Sequence, residues 1–241
     1  MGPKTVVSLL PTGGKKPETL EEGVKMPTHM KTHTREETYK PALDKARREI
    51  AQVDPWETAF KAAVDYREID PKSGEWIVPF WGKNYRVTYP NGAVIEEETG
   101  KSPSIVVTLL ILHYLLTAEG VRPADYWVSF RVFPGGQGYW PVFQARTALK
   151  LAKAFGKDKE AFEKAALALG GERLSFGDSS FLFRMFPRLW LAVVLNLADE
   201  ELGPSAQILF DATANSYLPT EDLVVLSEML THSLLKQAGK K

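Results

Sequence analysis

The sequence predicts an α+β fold, in which helices pack on a modest, mostly antiparallel sheet. Two observations support this fold class. Several segments carry apolar residues at every third or fourth position, as amphipathic helices do, and others alternate apolar and polar residues, as half-buried strands do. With 241 residues, of which 44% are hydrophobic, the chain is long enough to bury a substantial core.

The N-terminal part of the chain differs from the rest. Repeated prolines and glycines interrupt any periodic pattern there, so we predict a flexible extension over residues 1–33 and a single α+β domain over 34–241. Thr34 and Glu37 have the spacing of a capping box, which predicts the start of a first helix.

A second helix is predicted to start at Asp54. The aspartate is a favoured capping residue, and Pro55 suits the first helical position. Trp56, Phe60 and Val64 follow at intervals of four residues, so we expect this face of the helix to be buried.

The chain then changes to a period of two. Residues 76–80 alternate, and residues 85–89 and 93–96 predict a hairpin, because Asn91 and Gly92 can supply the positive φ angles of a tight turn. The next predicted helix, residues 102–120, is apolar on nearly every face and should lie at the centre of the fold.

The second half of the chain predicts a similar mixture. Residues 126–133 are predicted to form a strand, residues 134–138 a loop, and residues 142–155 and 158–169 two helices. Strands are predicted within residues 173–186, 189–197 and 208–210. The last helix begins near Pro219 and should bury one stripe of side chains: Leu223, Leu226, Leu230 and Leu234.

Composition excludes several classes of function. The net charge of zero disfavours a general binder of nucleic acid or of an anionic membrane surface. The chain has no cysteine, so it cannot form a disulfide, a thiolate nucleophile or a Cys-ligated iron–sulfur cluster. No segment is long and apolar enough to cross a membrane, and we therefore expect a cytoplasmic protein.

The C-terminal part of the chain is strongly acidic. Between Leu189 and Leu235 there is no lysine or arginine, although the whole chain has 30 basic and 30 acidic residues. Two interpretations remain open: the carboxylates gather into one binding surface, or they cap turns and helix starts. We expect a shared surface, so that removing Asp199 and Asp211 together should abolish binding without loss of thermal stability. The candidate carboxylates are Asp178, Asp199, Glu201 and Asp211.

A second candidate region lies around a glycine-rich segment. Arg131 precedes Gly135 and Gly136, and Tyr139 follows in a dense run of aromatic residues. Backbone amides at the start of a helix can hold phosphate or carboxylate, but the nucleotide-binding glycine signatures are absent. The alternative interpretation is turn chemistry for the glycines and core packing for the aromatic residues.

His113 lies inside the predicted central helix. It is either a base or metal ligand, oriented by Asp178 or Asp199, or a core histidine that bonds a neighbouring carbonyl group.

Several short segments together resemble the domain-of-unknown-function family three-seven-eight-six. The resemblance runs from about Tyr39 to Leu235. It implies a protein of anaerobic bacteria or archaea, in a family where some relatives carry a small Cys-rich iron–sulfur segment that this chain lacks. The matching segments are residues 112–116, 129–131, 134–136 with Tyr139, 170–171, 177–178, 199–201, 208–211, 217–218 and 221–222.

These observations favour a non-catalytic binding or accessory module. The partner we expect is another protein, and the resemblance implies an iron–sulfur or corrinoid protein in anaerobic metabolism. One alternative is a hydrolase dependent on a divalent metal, in which the acidic cluster holds Mg²⁺ or Mn²⁺ and His113 is the base. Another is a purely structural subunit. The sequence identifies neither a cofactor nor the oligomeric state.

Overall fold

The computed structural model describes residues 35–240, with side chains from residue 38 onward. The predicted extension over residues 1–33 lies outside the described residues. The same holds for Thr34 and for the side chain of Glu37, which form the predicted capping box.

The strands form two antiparallel sheets, so the α+β prediction is confirmed, but the single sheet that we expected is divided. The first sheet has the order β1 (Asp65–Asp70), β2 (Ser73–Phe80), β3 (Lys83–Tyr89) and β4 (Val94–Glu96). The second has the order β5 (Trp127–Ser129), β9 (Ser205–Asp211), β8 (Leu189–Asn196), β7 (Ser179–Phe186) and β6 (Glu172–Leu174). The sheets meet where the Trp81 amide donates to the Met185 carbonyl at 2.8 Å.

The helices are α1 (Arg35–Ile50), α2 (Pro55–Ala62), α3 (Ile105–Thr117), α4 (Gly136–Arg146), α5 (Ala148–Phe155), α6 (Lys159–Ala168) and α7 (Thr220–Gln237). Helix α3 is buried along most of its length, as its apolar sequence predicts. The leucine stripe of α7 is fully buried in the same core, which confirms that prediction too. No helix within residues 35–240 has the length and apolar character needed to cross a lipid bilayer.

The prediction that the aromatic face of α2 is buried is wrong. Trp56 is 57% exposed and Phe60 is 76% exposed. The face toward the core carries Ala59 and Ala62 instead, and the buried Tyr114 hydroxyl of α3 donates to the Ala62 carbonyl at 2.7 Å. Small side chains let the two helices approach closely, and this tertiary contact outweighs the spacing of the large aromatic residues.

The β3–β4 hairpin is confirmed, but its turn differs from the predicted one. Gly92 has a φ of 62°, whereas Asn91 does not have a positive φ. The Thr88 amide donates to the Ala93 carbonyl at 3.0 Å. The connection is therefore longer than the two residues of an Asn-Gly turn, and only the glycine needs the left-handed conformation.

The segment predicted as a strand over residues 126–133 is mostly not a strand. Strand β5 ends at Ser129, and a short 3₁₀ helix follows from Phe130 to Val132. The Phe130 ring stacks on Phe143 of α4 with centroids 4.3 Å apart, so core packing draws the chain away from the sheet. Helix α4 then starts at Gly136, inside the predicted loop. The predicted helix over residues 142–155 is broken at Thr147 into α4 and α5.

Candidate functional site

The candidate carboxylates do not form one surface, which corrects the expectation of a shared acidic patch. Strands β8 and β9 pair from Asn196 with Ser205 at one end to the Asp211 end of β9 at the other. Asp178 and Asp199 lie beyond the first end of the sheet. Six steps of about 3.3 Å along β9 separate the two ends by roughly 20 Å.

Asp178 and Asp199 shape the loops in which they lie. One carboxylate oxygen of Asp199 accepts hydrogen bonds from the Glu201 amide at 2.9 Å and the Leu202 amide at 2.6 Å. These bonds lower the pKa of the Asp199 carboxyl group. The Asp178 carboxylate accepts from the Leu197 amide at 2.7 Å, and Glu201 itself is exposed.

Asp211 is fully buried and accepts four hydrogen bonds. Oδ1 accepts from the amides of Ala124 at 3.0 Å and Thr213 at 3.0 Å and from the Thr213 hydroxyl at 2.7 Å, while Oδ2 accepts from the Asp125 amide at 2.7 Å. These four bonds fasten the chain before β5 to the end of β9. Because the carboxylate is buried, it is not accessible to a partner.

The metal-dependent alternative needs Asp199 and Asp211 in one place, and the structure does not provide this. Within residues 35–240, no group of three or more His, Asp or Glu side chains is arranged to hold a metal ion.

His113 pairs with a carboxylate at the start of the last helix. Its Nδ1 lies 2.5 Å from Oδ2 of Asp222, in the first turn of α7. The partner of His113 is therefore neither Asp178 nor Asp199, and it is not a neighbouring carbonyl group either. The two side chains are 26% and 16% exposed, so the pair links α3 to α7 at the edge of the core.

The structure does bring together the residues predicted around the glycine-rich segment. Gly135 adopts a φ of 73° immediately before α4, and Gly136 packs so closely that an added Cβ would lie 2.1 Å from the Phe130 carbonyl oxygen. The Arg131 Nε donates to the Gln137 side chain at 2.8 Å. Gly135 and Tyr139 line a groove, whereas Phe130 and Phe133 are buried in the core and Tyr126 is 67% exposed.

This groove lies between helix α7 and helices α4 and α5, with Tyr39 of α1 also in its lining. Its cavity volume is about 710 Å³, within the range of sites that hold small molecules or cofactors. The α7 wall includes Glu221, Val224, Val225, Glu228, Met229 and His232. The opposite wall includes Gly135, Tyr139, Arg146 and Lys150.

Helix α7 is able to form this wall because it is apolar on two adjacent faces. The leucine stripe packs into the core, while Val225 and Met229 are only partly buried and point along the groove side of the helix. Charged residues follow on the same side, which gives the groove a mixed apolar and polar lining. The short second stripe of Val224, Val225 and Met229 is the sequence signal that would have revealed it.

One ion pair spans the groove. Arg146 Nη1 lies 3.1 Å from Oε1 of Glu228, and the hydrogen bond from this pair raises the pKa of the Arg146 guanidinium group. The two side chains are 52% and 37% exposed, so solvent screens the pair and it contributes little to stability.

Other polar groups in the lining are not paired with any described residue, among them Thr231, Lys150, His232 and, at the start of α7, Glu221. Thr231 is 1% exposed, and its hydroxyl oxygen is buried without a hydrogen-bond partner in the described structure. The side chains of Lys150 and His232 are exposed and make no hydrogen bond or ion pair with residues 35–240.

Comparison with known proteins gives one match. The family described as a domain of unknown function, DUF3786, matches residues 54–233. The chain belongs to this family. No curated protein and no solved structure matches it. The resemblance predicted from the sequence is therefore confirmed, although the match begins at Asp54, after helix α1.

Most of the groove lies within the region that matches DUF3786. Its α4, α5 and α7 residues named above all lie within residues 54–233, whereas Tyr39 and Leu235, which also line it, lie outside the matched region. The sequence analysis identified Gly135 and Tyr139 in this lining but missed the residues that only the packing of distant helices brings to the groove. Those are Arg146, Lys150, Glu228, Thr231 and His232.

Proposed function

We propose that this DUF3786 domain is a non-catalytic, cytoplasmic binding module and that the groove receives its partner. The observation that supports this most directly is the cavity of about 710 Å³, whose lining combines partly exposed apolar side chains with polar groups that lack partners. Val225 and Met229 supply apolar surface for contact. Pockets with mostly apolar walls and a few placed polar groups are typical of binding sites.

The polar groups of the groove favour binding over catalysis. Nucleophilic catalysis requires a nucleophile within hydrogen-bond reach of a base. Among the groove residues that the structure describes, the charged contact is the Arg146–Glu228 pair, and the Thr231 hydroxyl bonds to no base. These groups can orient a partner, and no step of bond making is assigned to them.

In this proposal the partner is another protein, or a cofactor that it carries. The family resemblance implies an iron–sulfur or corrinoid protein in anaerobic metabolism. Since this chain has no cysteine, the partner would supply all the thiolate ligands of such a cluster. The groove would then contact a segment of the partner or the edge of its cofactor.

The proposal predicts that a charge in the groove prevents capture of the partner. Met229→Glu places a carboxylate on the apolar α7 wall, where it removes apolar contact surface and must lose hydration when the groove is filled. We expect the tagged full-length variant, purified from its native cells without oxygen, to lose the partner that the unaltered chain retains. Native mass spectrometry identifies the complex, and its absorption spectrum identifies any chromophore.

Leu149→Glu is the matched control, because Leu149 lies on α5, is 59% exposed and is not in the groove lining. This variant should keep the partner, and both variants should melt as cooperatively as the unaltered chain. A folded Met229→Glu chain that still carries the partner would contradict the proposal. So would an unaltered chain that is always purified alone.

A further inference from the structure

We infer that the groove binds an organic anion with an apolar body, and that Lys150, His232 and Thr231 hold its anionic group. This inference rests on the proposed binding role of the groove and specifies the chemistry of the ligand. It follows from the relative position of the three residues, their lack of partners, and the apolar surface that extends away from them.

Two contacts fix how the α4–α5 segment lies along α7. Arg146, the last residue of α4, reaches Glu228 of α7 at 3.1 Å, and Lys240, three residues beyond the end of α7, donates from Nζ to the Ala154 carbonyl of α5 at 2.6 Å. Helices α5 and α7 therefore run in the same general direction. Lys150 is midway between Arg146 and Ala154, and His232 follows Glu228 by about one helical turn. Both thus lie at the same end of the groove.

This end of the groove carries uncompensated positive charge. Glu228 neutralises Arg146, whereas Lys150 has no carboxylate partner within residues 35–240. The other groove carboxylate, Glu221, precedes His232 by three helical turns, which is about 16 Å. A charged group opposite Lys150 and the His232 imidazole should therefore be an anion, since both side chains can donate hydrogen bonds to it.

Thr231 adds an unused hydrogen-bonding group beside these two. Its hydroxyl is buried and unbonded, whereas Ser227, one turn earlier, donates to the Leu223 carbonyl at 2.8 Å. A buried hydroxyl without a partner is destabilising. Rotation about the Cα–Cβ bond moves the hydroxyl to the other side-chain rotamer that threonine adopts in helices, so an anion in the groove can accept this hydrogen bond.

The apolar body of the ligand has a surface on which to lie. Met229 and Val225 precede His232 on the groove side of α7 by about one and two turns, and both side chains are partly exposed. A molecule with its anionic group at Lys150 would extend along these side chains for about 10 Å. The site thus suits an amphiphilic acid rather than a small inorganic anion.

Isothermal titration of the full-length chain with octanoate, octanol and octyltrimethylammonium tests the inference. The three probes share an apolar chain and differ in the charge of the head group. We expect octanoate to bind about tenfold more tightly than octanol, and the cation to bind most weakly. The double variant Lys150→Gln/His232→Gln should lose this preference. Lys153→Gln should keep it, because Lys153 is exposed on the same helix but is not in the groove lining.

Equal binding of octanoate and octanol would overturn the inference of an anion site, as would failure of all three probes to bind. Neither result bears on the proposed function, because capture of the partner by the unaltered chain and by Met229→Glu is measured separately. Failure of partner capture together with selective octanoate binding would instead reject the protein partner and leave the anion site in place.

Thr231→Val isolates the role of the hydroxyl. This nearly isosteric change removes an unsatisfied buried group, so we expect the melting temperature of the free protein to rise by about 2–4 °C. Octanoate should bind more weakly to the same variant. Ser227→Ala is the control: it removes a hydroxyl that is already bonded, so it should lower the melting temperature and leave octanoate binding unchanged. A lower melting temperature for Thr231→Val, with unchanged octanoate affinity, would exclude Thr231 from the site.

Discussion

Asp211→Ala is expected to lower the free energy of unfolding by about 3–5 kcal/mol. The side chain is fully buried, and its carboxylate is the acceptor for the amides of Ala124, Asp125 and Thr213 and for the Thr213 hydroxyl. Alanine leaves these donors without their acceptor, and each such group costs about 1–3 kcal/mol when it stays buried. Entry of water into the space offsets part of this cost. The change should therefore loosen the connection between the end of β9 and the chain before β5.

Urea unfolding followed by tryptophan fluorescence measures this effect. Asp199→Ala is the comparison, because that carboxylate also accepts two backbone hydrogen bonds but is exposed to solvent. The loss of the Asp199 side chain should therefore lower the free energy of unfolding much less than the loss of Asp211. Equal effects of the two substitutions would mean that Asp211 does not hold the loops together. The expected difference reverses the sequence-based expectation that the two carboxylates share a binding surface and can be removed without loss of stability.

The elements that were predicted best are those in which the spacing of apolar residues within one helix or strand decides the structure. The leucine stripe of α7, the continuous apolar run of β8 and the alternation in β2 each depend on residues within one element, and each is found where the pattern places it. The period of side chains along a helix or strand decides which residues face the core, provided that one face has a clear excess of apolar residues. That condition holds for α7 and β2, whereas β8 is apolar on both faces and is buried on both.

Helix α2 shows where this reasoning fails. Its large residues, Trp56 and Phe60, are exposed, since the helix is short and the close contact with α3 is made through Ala59 and Ala62. The spacing of aromatic residues indicates a possible buried face, but the contact that forms depends on the shape of another helix. No pattern within eight residues contains that information.

The prediction of a shared carboxylate site was wrong for a related reason. Asp199 and Asp211 are near in sequence, yet an entire strand separates them in space because β9 runs between them. Conversely, Lys150 and His232 are distant in sequence and meet along one groove because α5 and α7 run side by side. Proximity in the chain is a poor guide to a site in a sheet whose order is β5-β9-β8-β7-β6, since the crossovers decide which ends meet.

Gly136→Ala is expected to cost about 3 kcal/mol of unfolding free energy and to displace one wall of the groove. An alanine Cβ would stand 2.1 Å from the Phe130 carbonyl oxygen, which is a backbone atom and cannot rotate away. The start of α4 would have to move from the 3₁₀ helix that precedes it. Gly135 and Tyr139 belong to that first part of α4, so octanoate binding should weaken together with stability.

Gly138→Ala provides the matched control within the same helix, because no atom lies within 4 Å of the position where its Cβ would be. Here alanine relieves the entropic cost of a helical glycine, so we expect a gain of up to about 1 kcal/mol and unchanged octanoate binding. Urea unfolding and octanoate titration of both variants show whether packing or helix propensity determines the effect of alanine at these two positions. If propensity governed both positions, the two alanines would stabilise the domain alike. Opposite signs are expected instead, because at Gly136 the missing side chain is what allows α4 to begin against the Phe130 carbonyl.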